Sequence, residues 1–141
     1  MENVIVEISR FVIIFLMTIY TFYGFTALLK KNRKKQLYLY RVQRILILAF
    51  HFVCNFVLYM NTENFKILAF YLVQLGFLIG FSILYPICYR GISRTLLNHM
   101  LMLFSISFIM LERLSFDSAK RQFTMACIGM GIGLVIPVVI R

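Results

Sequence analysis

Residues 11–29 run for 19 positions without a charged side chain. A helix over that run is about 28 Å long, close to the hydrocarbon thickness of a bilayer. Four more apolar runs follow, at 45–60, 67–89, 96–111 and 123–140. Each reads as a membrane-spanning helix. The expected fold is an all-α integral membrane protein, a bundle of about five transmembrane helices. Composition leaves little alternative: 62% of residues are hydrophobic and 14% charged, where a soluble domain has about half and about a quarter. A chain this small cannot hide that excess in one core, because much of its surface stays exposed.

Charge gives the spans a direction. The net charge is +10, and the basic residues bracket the apolar runs instead of forming a nucleic-acid face, so no nucleic-acid partner is expected. With five spans the connecting segments alternate sides. One side receives Lys30, Lys31, Arg33, Lys34, Lys35, Arg41 and Arg44, then Arg90, Arg94 and Arg141, with no acid. The other receives Arg10, Lys66, Arg113, Lys120 and Arg121 against Glu2, Glu7, Glu63, Glu112 and Asp117. The positive-inside rule makes the first side cytoplasmic, with the N-terminus outside and the C-terminus inside. Removing the fourth span would put Arg90 and Arg94 outside and break the asymmetry. Tyr59 and Tyr71 fall near outer ends and Tyr85 and Tyr89 near an inner one, where tyrosine forms an interfacial belt in a chain without Trp.

Residues 1–9 hold Glu2 and Glu7 and no Lys or Arg, which is no secretory leader, so the first span is expected in the mature protein. Cys54, Cys88 and Cys127 lie in apolar runs, odd in number and without a CxxC. They read as packing or lipid-facing residues, not as a disulfide or metal framework. No metal site, cofactor or catalytic constellation is expected, since the chain lacks a Ser/His/Asp arrangement, a phosphate loop and paired carboxylates. Glu112 and Asp117 read as solvated residues at a membrane boundary.

Several residues invite a role. His51, Cys54 and Asn55 share a helical face, and an ionisable residue inside a membrane is a functional suspect. Three or four converging ligands would be needed for a metal, so hydrogen bonding between helices, with Gln74 as a partner, is the preferred reading. Gly76 with Gly80, and Gly129 with Gly133, are GxxxG pairs that let helices approach closely. They read as packing sites within the chain. The basic residues at 30–44 suit anionic lipid headgroups, each worth about 1 kcal/mol near such a surface. Ser115, Asp117 and Ser118 are candidate caps for the last helix, and Asp117 is spaced for an ion pair with Lys120 or Arg121.

Residues 100–140 read as a helical hairpin with a polar turn at 112–122. Its sequence contains Leu103-Phe104-Ser105-Ile106-Ser107-Phe108-Ile109-Met110-Leu111, then Arg113-Leu114-Ser115-Phe116-Asp117-Ser118-Ala119, then Arg121-Gln122-Phe123. This stretch resembles the first two membrane helices of the FtsW/RodA/SpoVE (SEDS) family of cell-division and cell-shape proteins. Glu112-Arg113-Leu114 departs from the family, where that helix end is commonly small and polar. The resemblance implies two parts. Residues 1–95 form an N-terminal three-helix membrane extension, and 96–141 a truncated hairpin opening the SEDS core. It implies the N-terminal membrane region of a peptidoglycan glycosyltransferase of the bacterial cytoplasmic membrane, involved in cell division, cell shape or sporulation. Lipid II and a class B penicillin-binding protein would be partners of the full-length protein. The family's catalytic region lies downstream of its second helix, so this stretch carries no catalytic residue. The alternative is a small complete multi-span module acting as a sensor, adaptor or partner-binding subunit.

Overall fold

The computed structural model describes residues 2–140. Arg141, counted above among the inner-side charges, lies outside the described residues. Five α-helices follow one another: α1 Glu2–Leu29, α2 Arg33–Thr62, α3 Phe65–Cys88, α4 Arg94–Leu114 and α5 Phe116–Ile140. No strand occurs among the described residues. All five helices are long and apolar enough to cross a membrane, and the chain is a multi-pass membrane protein. Two compact units divide at Leu68 and Ala69.

In the first unit α1 and α2 pack along each other. Their connection is only Lys30, Lys31 and Asn32. The Asn32 side chain accepts from the Lys34 N–H at 3.1 Å, which caps α2. Gln36 Nε2 reaches back to the Ala27 carbonyl at 3.0 Å. Ala27, Leu39 and Tyr40 form a small buried cluster there, with Tyr23 against it. So α2 begins at Arg33, not at residue 45, and the basic run from Arg33 onward becomes its first three turns. Lys and Arg are good helix formers; their charge bars them from the hydrocarbon, not from the helix. A 30-residue helix is about 45 Å long against about 30 Å of hydrocarbon, which leaves room for these turns outside the membrane. At the other end Glu63 takes a left-handed conformation, φ 50°, and its N–H closes on the Tyr59 carbonyl at 2.8 Å.

In the second unit aromatic side chains tie α3, α4 and α5 together. Phe77 meets Phe104, Phe108 and Phe123 at centroid distances of 5.9, 5.7 and 5.3 Å, all steeply inclined. These are favourable edge-to-face arrangements. Phe108 and Phe123 lie 5.5 Å apart. Phe70 takes Phe116 and Phe123 at 5.3 and 5.6 Å. Gly91, at φ 95°, makes the turn from α3 to α4, a backbone that side-chain-bearing residues rarely adopt.

The turn expected at 112–122 shrinks to a single residue. Ser115 is extended, with φ −160° and ψ 123°, and its N–H closes α4 on the Leu111 carbonyl at 2.8 Å. Its carbonyl accepts from the Ala119 N–H at 3.0 Å, and its hydroxyl from the Ser118 N–H at 3.5 Å. Ser115 thus ends one helix and starts the next, and Glu112 and Arg113 belong to α4. Asp117 sits in the first turn of α5, where the helix dipole favours an acid. Among the described residues it makes no ion pair with Lys120 or Arg121; Lys120 instead lies over the Phe116 ring at 4.6 Å. Ala119 is the one buried residue of α5 among those described.

Candidate functional site

The polar residues of α4 are not scattered. Asn98, Ser105 and Glu112 recur at seven-residue spacing and are all buried, together with Leu97, Leu101, Met102 and Phe108. Seven residues make nearly two turns, so all three share the packed face of the helix. Gln74, on α3, is fully buried and its Nε2 donates to Glu112 Oε2 at 3.3 Å. Glu112 is only 6% exposed. The expected solvated boundary role is therefore corrected: the carboxyl faces inward, because α4 continues past it to Leu114 and rotates it onto the packed face. The other oxygens of the pair, Gln74 Oε1 and Glu112 Oε1, are buried without a hydrogen-bond partner.

In the first unit His51 and Asn55 are both buried on α2. The Asn55 amide donates to the His51 carbonyl at 3.0 Å and lies 3.4 Å from His51 Nε2. These contacts run along one helix, one turn apart. Cys54 beside them is half-buried and free. No group of three or more His, Cys, Asp or Glu converges among the described residues.

The four glycines differ. A Cβ at Gly76, Gly80 or Gly129 would meet nothing within 4 Å, whereas one at Gly133 would run into the Tyr85 hydroxyl. Tyr89 donates its hydroxyl to the Gly133 carbonyl at 2.6 Å. Tyr85 and Tyr89 stack at 5.4 Å. Gly133 is thus the point where α5 lies against the tyrosine end of α3.

Lys30, Lys31, Arg33, Lys34, Lys35 and Arg41 are exposed, and Arg44 is half-buried. The first turn of α2 holds no acid, so its positive end gathers cations and no countercharge. Such a surface attracts anions.

The sites divide by chemistry. The Gln74–Glu112 pair can hold a proton or a cation, and the basic end of α2 can meet headgroup phosphates. Neither offers a nucleophile beside a base. No family model, curated protein or solved structure matches the chain.

Proposed function

We propose that the chain is the N-terminal membrane region of a SEDS-type peptidoglycan glycosyltransferase serving cell division, cell shape or sporulation, with the catalytic residues downstream of this stretch. The observation that carries the proposal is the α4–α5 hairpin. The residues behind the resemblance are also those that close it. Phe108 and Ala119 are fully buried, Ser115 makes the one-residue turn, and Phe123 meets Phe77 and Phe108.

In this reading the protein sits in the bacterial cytoplasmic membrane with its N-terminus outside. α4 runs outward and α5 inward, as the charge distribution supports. The helices before α4 are an extension added to the core, and the basic end of α2 lies on anionic lipid at the cytoplasmic face. Lipid II and a class B penicillin-binding protein are engaged by the full-length protein.

Sequencing the gene past codon 141 tests the proposal. The expected result is a frame that stays open and encodes further apolar spans and a large outer loop. A stop codon there, with the protein stably expressed, would end the polymerase reading and leave a small membrane module.

A further inference from the structure

We propose that Gln74 and Glu112 form a binding site for a monocation, either a proton or an alkali ion, on the packed face between α3 and α4. The inference stands on the geometry of the pair and is independent of the polymerase reading. Glu112 receives one hydrogen bond, from a neutral amide, at 3.3 Å. Its second oxygen and the Gln74 oxygen are both buried and without a donor. Two acceptors on adjoining side chains, both starved of donors, describe a place for a positive or proton-bearing ligand. Nearly all buried polar atoms in folded proteins find a partner. A carboxylate kept from water with only an amide beside it is poorly compensated unless a charge joins it.

The neighbouring ionisable groups do not supply that charge. On α4 itself, Arg113 is exposed. At the start of α5, Asp117, Lys120 and Arg121 are exposed, and Lys120 is held over Phe116. On α3, Tyr71 lies one turn before Gln74 and is buried, but it is neutral. A purely structural bridge between helices would be served by two amides, with no ionisable group to neutralise. Glu112 lies one turn from the helix break at Ser115, so a small cation has little depth to cross from the aqueous boundary.

Reaction with dicyclohexylcarbodiimide tests the site in the purified full chain. The reagent partitions into apolar regions, and the O–H of a protonated carboxyl adds across its C=N bond. Away from water the adduct rearranges to a stable N-acylurea; at exposed acids it hydrolyses. Mass spectrometry of peptides should therefore find the label on Glu112 and not on Glu7, Glu63 or Asp117. Raising the pH should reduce the labelling. Added Na⁺ or K⁺ at fixed pH distinguishes the two ligands. An alkali ion that fills the site should lower labelling about tenfold at ten times its Kd, whereas a response to pH alone assigns the proton. Glu112→Gln should remove the label, and Gln74→Leu should move the pH or salt concentration that halves it. If Gln74→Leu does not fold, the titration of the native chain still decides. In alkali-free buffer at low pH an unlabelled Glu112 would overturn the proposal, as would labelling indifferent to both pH and alkali salt.

Discussion

Replacing Phe77 by Ala is expected to destabilise the second unit by about 3 kcal/mol, at the lower end of the range for Phe→Ala in packed cores. Lipid tails are as apolar as a phenyl ring, so the loss is mainly of packing and not of transfer from water. Phe77 has four ring partners, Phe81, Phe104, Phe108 and Phe123, and each aromatic pair adds about 0.5–1.5 kcal/mol beyond area. These partners sit on α3, α4 and α5, so one truncation loosens all three helices. Phe77→Leu fills more of the space and should cost less than half as much. Equilibrium unfolding of the purified protein in mild detergent measures both. Equal stability of Phe77→Ala and the native chain would mean that the aromatic cluster does not hold these helices.

The second large effect is expected at Gly133. A valine there places its Cβ against the Tyr85 hydroxyl and pushes the backbone carbonyl away from Tyr89, its donor at 2.6 Å. Tyr85 cannot easily yield, because it is stacked between Phe81 at 4.2 Å and Tyr89 at 5.4 Å. Overpacking costs about 1–3 kcal/mol, and the lost hydrogen bond about 1 kcal/mol more. Gly129→Val is the matched control, since a Cβ at Gly129 meets open space; its effect should stay within about 0.5 kcal/mol. The same unfolding measurement compares them. Equal losses at both positions would show that the GxxxG pattern acts through helix propensity and not through this contact.

The five apolar runs were legible because a membrane span needs length and the absence of charge, both of which are local properties. The helix ends were less so, for one reason at two places. Residues 33–44 and Glu112 with Arg113 are charged and look like connections, yet charge decides what a segment faces, not whether it coils. Asn32, a good cap just ahead of a run of helix-forming Lys and Arg, marked the true start of α2. Ser115 was rightly among the candidate caps, but that it alone makes the turn depends on how closely α4 and α5 pack. The seven-residue recurrence of Asn98, Ser105 and Glu112 was a signal for an inward-facing polar stripe. Its partner Gln74 was out of reach, because a contact 38 residues away is set by packing and not by local pattern. The glycines show the same limit. GxxxG marks where helices can approach, while the register that brings Tyr85 to Gly133 and leaves Gly129 open is a tertiary fact.

Cysteine accessibility tests the membrane arrangement most directly. In a chain with Cys54, Cys88 and Cys127 replaced, Arg33→Cys and Ser115→Cys both sit at exposed helix ends, and α2, α3 and α4 lie between them. Three spans put them on opposite faces. Labelling of intact cells with an impermeant thiol reagent should modify position 115 at once, and position 33 only after permeabilisation. Modification of position 33 from outside would reverse the orientation. Modification of both from the same side would contradict the three intervening spans, and with them the five-span membrane protein.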